Sequence, residues 1–182
     1  MNIIRLTTWI NAPVERCFQL SLNIDLHVAS AQSTREKAVA GVTSGFIREG
    51  ETVTFQGWHF GLPRRHTSLF GIVRPSSHIR NVMEEGSFQH FEHDLYFAAM
   101  DDGTRIRDEI RFSLPHGALG RLARRLYVRK HLVTILAERN AYLKQVAESE
   151  EWRRYLPNHP AADRRKMSRE TELVPATWAR SA

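Results

Sequence analysis

From Glu51 to Phe112, apolar and polar residues alternate with a period of two. That is the pattern of half-buried β-strands, whose side chains point to opposite faces in turn. The candidate strands are ETVTFQGWHF and RRHTSLFGIV with GLP as the turn between them, then HIRNVME and FQHFEHDLYFAAM about Gly86. GTRIRDEIRFSL follows an Asp101-Asp102-Gly103 turn. Short adjacent strands joined by tight turns predict an antiparallel meander. The last strand has the clearest faces. Arg105, Arg107, Glu109 and Arg111 share one, which the pattern assigns to water; Thr104, Ile106, Asp108, Ile110 and Phe112 share the other, which faces a core.

The flanking segments have other periods. IIRLTTWI (3–10) is rich in β-branched residues and predicts a strand. Asn11-Ala12-Pro13 ends it, and Pro13 suits the first turn of a helix to about Leu20. NIDLHVAS predicts a short helix or turn, and Gly41, Gly45 and Gly50 mark a turn-rich approach to the sheet. After Pro115, a long helix is expected from about Ala118 to Glu148. Leu119, Leu122, Leu126, Val133, Leu136 and Leu143 form one apolar row, widened by Val128, Leu132, Ile135 and Val146. Beyond it the charges are mixed, with Pro157, Pro160 and Pro175 and no sustained apolar period. The expected division is a domain over 1–150 and a charged, mostly disordered tail over 151–182. Trp152, Tyr155 and Trp178 leave room for a short docked segment in that tail.

Alternation also decides what EGSFQHFEHDLYF can do. Phe91, His93, Leu95 and Phe97 fall on the apolar face, and His90, Glu92, Asp94 and Tyr96 on the other. His90 and His93 therefore point to opposite sides of a strand and cannot share one metal ion. No metal ligands and no cofactor are expected from the sequence. In ETVTFQGWHF the inward row is Val53, Phe55, Gly57 and His59. His59, His93 and Asp108 thus enter one apolar interior from three strands, and a buried ionisable group needs a partner or a wet cavity. His93 and Asp108 are either a hydrogen-bonded structural pair or an acid–base pair.

Charge and composition narrow the classes. The chain has 182 residues and a net charge of +6, which favours anionic partners without naming one. No apolar run is long enough to span a bilayer, and the N-terminus lacks a signal peptide's apolar stretch. A single cysteine, Cys17, rules out an intrachain disulfide framework and fits the cytoplasm; in a short helix beside Phe18 it reads as a buried structural thiol. GVTSG has Thr43 where a nucleophile elbow needs serine. GRLARRLYVRKHL is basic and amphipathic, which fits a helix with one solvated face or weak contact with an anionic membrane. Basic residues are not interleaved with exposed aromatics, so no nucleic-acid partner is expected. Oligomeric state is not legible.

The order of elements, together with WINAPVERCFQLSLNIDLH, GVTSGFIREGETVTFQGWHFGL, EGSFQHFEHDLYF, GTRIRDEIRFSLPHGALG and LAERNAYLK, resembles the START-related (SRPBCC) polyketide cyclase/dehydrase-like superfamily over about residues 3 to 147. The resemblance implies an α+β helix-grip fold, a curved antiparallel sheet wrapped around a long C-terminal helix with an apolar cavity between them. It supplies no catalytic motif, so fold analogy alone assigns no chemistry. The expected function is binding of a small hydrophobic or aromatic molecule, the expected partner. Expected lining residues are Phe55, His59, Phe91, Leu95, Phe97, Ile106, Ile110, Leu122 and Leu126. The alternatives are a cyclase/dehydratase using His93 and Asp108, and a membrane-associated lipid carrier.

Overall fold

A computed structural model of the chain describes residues 1–114 and 121–156, and of residues 121–125 only the backbone. The elements are β1 (Asn2–Ile10), α1 (Val14–Ser21), α2 (Ile24–Ser30), β2 (Lys37–Gly41), β3 (Thr52–His59), β4 (Leu62–Arg74), β5 (His78–Glu85), β6 (His90–Met100), β7 (Gly103–Ser113), α3 (Arg121–Glu148) and α4 (Trp152–Tyr155). One seven-stranded sheet runs in the order β1-β7-β6-β5-β4-β3-β2, with every neighbouring pair antiparallel. The expected meander is β3 to β7. The edge strand β2 replaces part of the expected turn-rich approach, because its backbone pairs with β3 although its side chains carry almost no burial pattern.

The turn between β3 and β4 is tighter than GLP suggests. His59 pairs with Leu62, so Phe60 and Gly61 alone form the turn, with φ of 59° and 76°. Two positive φ values match the right-handed twist of the flanking strands. Leu62 and Pro63 already belong to β4. The turn holds Phe60 over α3, where its ring lies 4.5 Å from His131 and 5.8 Å from Tyr127.

Helix α3 has 28 residues and is about 42 Å long. It buries Val128, Leu132, Leu136, Asn140, Leu143 and Val146. This stripe follows the second apolar row together with Leu136 and Leu143. Leu126, expected on the inner face, is 58% exposed, and Val133 is also exposed. A straight helix can turn only one stripe inward, and the row through 126 and 133 lies a third of a turn from it. Two apolar clusters result. The larger one joins α1, α2 and the sheet, and the smaller one joins Ile4, Ile110 and Phe112 to Val128, Leu132 and Leu136.

The core does not stop at residue 150. Trp152, Tyr155 and Leu156 are buried in the larger cluster, Arg16 stacks over the Trp152 ring at 4.3 Å, and Asn23 donates to the Tyr155 carbonyl. The docked segment left open by the sequence is residues 152–156. The remainder of the expected tail, 157–182 with Trp178, lies outside the described residues.

The outer sheet face is less watery than the alternation suggests. Asp94 is fully buried beneath His78, Arg80 and Arg111, and Glu109 is buried beneath Arg5 and Arg111. Cross-strand Arg side chains cover these carboxylates with their own bulk while satisfying them. Tyr96 lies on the same face, stacked on His78 and under Arg107.

Because Trp152 fills the larger cluster, Trp152→Ala should destabilise the fold by about 3 kcal/mol in chemical denaturation. A change below about 0.5 kcal/mol would show that 152–156 only rests on the surface.

Candidate functional site

Between the inner sheet face and α3 lies a cavity of about 170 Å³. Its walls are mainly apolar, including Phe55, Phe70, Phe91, Leu95, Ile110 and Ile135. Arg64 and Arg65, both exposed, lie on its rim. Buried ionisable groups form two clusters along it. They are marked on α3 by His131 and Arg139, eight residues and about 12 Å apart.

The first group is built on Asp108. β6 and β7 place His93 opposite Ile110, so Asp108 is its diagonal neighbour on the inward face. His93 Nε2 lies 2.8 Å from Asp108 Oδ1, and Asn140 Nδ2 of α3 donates to Oδ2 at 2.6 Å. Asn140 also donates to Thr8 of β1 at 3.0 Å. Arg139 approaches Asp108 at 3.8 Å, and its Nη1 has no hydrogen-bond partner among the described residues. Burial alone would raise the Asp108 pKa. The hydrogen bond and charge of His93, with Arg139 and Asn140, outweigh it and hold the carboxyl below its usual range. Burial works against the charge of Arg139, which Asp108 supports. His93 and Arg139 line the cavity, and Asp108 stands behind them.

The second group centres on Glu36, just before β2. Its carboxylate meets His59 Nε2 at 2.8 Å and His27 Nε2 at 3.1 Å. His59 Nδ1 lies 3.3 Å from His131 Nε2. His66, opposite Phe55 in the β3–β4 register, points to the same spot. Burial favours the neutral acid of Glu36, but hydrogen bonds from His27 and His59 reverse this and hold its pKa well below the carboxylate range. Burial lowers the pKa of His66 and of His131. Gly57 makes the space: a Cβ there would sit 2.6 Å from Glu36 Cγ and 3.0 Å from the Thr34 carbonyl oxygen.

The sequence matches no family model and no curated protein. Solved structures do match. The Zhui aromatase/cyclase from Streptomyces sp. R1128 superposes with a TM-score of 0.67 at 12% identity, over 81% of this chain and 93% of that one. A START superfamily protein from Mycobacterium smegmatis gives 0.61 at 10% identity, over 80% and 97%. The fold is the START-like, polyketide-cyclase-like helix grip. At these identities the likeness concerns the fold and leaves the chemistry to the residues themselves.

Within the START-like frame, Phe55, His59, Phe91, Leu95 and Ile110 of the expected lining do face the cavity, as does His93. Phe97 and Ile106 do not. They are buried in the larger cluster, Phe97 against Phe18, because α1 covers that end of the sheet. Leu126 points to solvent, and the Leu122 side chain lies outside the described residues. His59 lines the cavity, whereas Asp108 stands behind its wall, and the two belong to separate groups. The sequence alone assigned no site role to Glu36, His66, His131 or Arg139. The β4 alternation that places Ser68 and Phe70 inward also places His66 inward, so that one was readable. Glu36 was not, since it precedes a strand without an amphipathic pattern. Cys17 is buried, and burial pushes its thiol up to about 11, so it is a core residue of the START-like fold.

A lowered Asp108 pKa adds stability above the unfolded value of about 3.9, and this is lost as pH falls through the folded value. Asp108→Asn should therefore cost about 3 kcal/mol near neutral pH, the scale of breaking a buried charged pair. The gap from wild type should narrow below about pH 4. A gap in melting temperature that is constant with pH would show that the charge of Asp108 contributes nothing.

Proposed function

We propose that the chain binds a small apolar or aromatic molecule in the cavity between the sheet and α3. The observation that carries this is the pairing of apolar walls with a cationic group short of partners. The cavity holds about 170 Å³, and Arg139, which lines it, has only the 3.8 Å approach of Asp108 and no hydrogen-bond partner for its Nη1 among the described residues. An apolar cavity of about 150 Å³ takes up benzene, so this volume suits a molecule of one or two rings. Phe55 and Phe91 offer ring faces, and a phenolate, carboxylate or carbonyl on the ligand would complete the guanidinium. Mixed clefts of this kind fix orientation through few polar groups and obtain affinity from burial.

A second reading has one observation in its favour. His93 lines the cavity with Asp108 bonded behind it, the arrangement that orients an imidazole for proton transfer. With Nε2 engaged by Asp108, Nδ1 is the ring atom left to exchange a proton with a bound molecule. Cyclase or dehydratase chemistry would need that exchange.

Native mass spectrometry of the protein from its own host, followed by extraction, should release a ring-bearing molecule of small size. A co-purifying phospholipid would favour the lipid-carrier reading instead. With the extracted molecule in hand, Ile135→Trp should fill the cavity and weaken binding about tenfold or more in calorimetry while the circular dichroism is unchanged. Undiminished affinity in a folded Ile135→Trp variant would place the ligand elsewhere. For the enzyme reading, His93→Gln should lower turnover of that molecule about 100-fold with little change in affinity.

A further inference from the structure

The cavity end beneath the β3–β4 hairpin holds more imidazole than an apolar ligand needs. His27, His59, His66 and His131 gather there from α2, β3, β4 and α3, with Glu36 among them. One ligand atom each from Glu36, His59 and His66 lies within 4.8 Å of the others. We propose that Glu36, His59 and His66 hold one divalent first-row transition-metal ion, with a further coordination position facing the cavity.

The donor set is that of an open site. Two imidazoles and one carboxylate bind zinc in catalytic centres and leave a position for water or substrate. The same set suits other divalent ions of the row. Metal–nitrogen and metal–oxygen bonds of about 2.0–2.2 Å require the three atoms to close around the ion. Side-chain torsions supply that closure. At present His59 Nε2 and Glu36 Oε1 are 2.8 Å apart, so a proton occupies the line where the ion would bridge them.

The surrounding bonds match what bound histidine and carboxylate require. Ligating groups are held by an outer ring of hydrogen bonds that orient them. His59 on the metal through Nε2 keeps its proton on Nδ1, which faces His131 Nε2 at 3.3 Å. Glu36 on the metal through Oε1 keeps Oε2 for His27 at 3.1 Å. Phe55 packs its ring against His27 and His66, with centroids 4.4 Å and 5.5 Å away. Those rings therefore lose little freedom on binding.

His66 separates this from a plain hydrogen-bond network. Its ring makes no hydrogen bond among the described residues, yet it is turned toward Glu36 and His59 from the inward row of β4. A network built only for stability would use it. The metal reading assigns it the third ligand position.

The test needs no organic ligand, so its failure leaves the cavity-binding reading untouched. The full chain, stripped with a chelator and dialysed, is titrated with Zn²⁺ by calorimetry and with Co²⁺ by visible absorption. The expected result is one equivalent bound at micromolar Kd or tighter, with the d–d bands of four- or five-coordinate Co²⁺. Anaerobic Fe²⁺ and Mn²⁺ arms rank the ions. His66→Gln and His59→Gln should each weaken binding about 100-fold or more, and His131→Gln, which acts through His59, about tenfold. His90→Gln, on the exposed outer side of β6, should bind as wild type. The His66 ring has no hydrogen bond to lose among the described residues, so its variant remains folded and informative even if the Glu36 variants do not. No saturable binding of any of the four ions, or stoichiometric binding that survives His66→Gln and His59→Gln, would overturn the proposal.

Discussion

A sheet that curls around a helix must join two surfaces of different periodicity, and in this chain the join is a buried carboxylate. Asp108 sits in an inward row of β7 with no exposure, bonded to His93 on β6 and Asn140 on α3. Asn140 carries the link to Thr8 on β1. Three strands and the helix thus meet at one charge. A buried carboxylate is costly unless satisfied, so the partners must occupy these positions together. That requirement sets the rotation of α3, and with it which stripe faces the sheet. It also places Arg139, one residue before Asn140, at the cavity wall.

The cavity follows from the same constraint. Where α3 meets β1 and β7, Ile4, Ile110 and Phe112 close the space with Val128, Leu132 and Leu136. Toward β3 and β4 the curving sheet leaves the helix, and α2 with the Ser33–Glu36 loop covers the gap. Glu36 projects into that gap because Gly57 leaves it room. The outer sheet face solves the reverse problem. Asp94 of β6 and Glu109 of β7 lie under arginines from β1, β5 and β7, which tie the strands of the curve from outside.

Two chemically different ends therefore share one apolar space. At one, a histidine and an arginine stand in front of a buried aspartate. At the other, imidazoles surround a buried glutamate. In each a single carboxylate organises cationic or neutral nitrogen donors, and burial strengthens every such contact by excluding water.

Alternation and helical period were sufficient for the strands β3 to β7, the long helix and the inward set of His59, His93 and Asp108. These are local properties: a strand's faces and a helix's stripe are written in spacings of two and 3.6. Even the pairing of His93 with Asp108 was readable, because neighbouring antiparallel strands bring inward rows side by side. What the tertiary structure decided depends on where elements land. Leu126 and Val133 point outward while Leu136 and Leu143 of the same apolar row are buried, on the side of α3 where Asn140 meets Asp108. Phe97 and Ile106 left the cavity for the core because α1 packs on that end of the sheet. Trp152 and Leu156 carry no period, and their burial depends on a surface formed by α1 and α2. Glu36 and His131 lie 95 positions apart on a loop and a helix. No sequence pattern connects them, and His59 bridges them only because the sheet curves back toward α3.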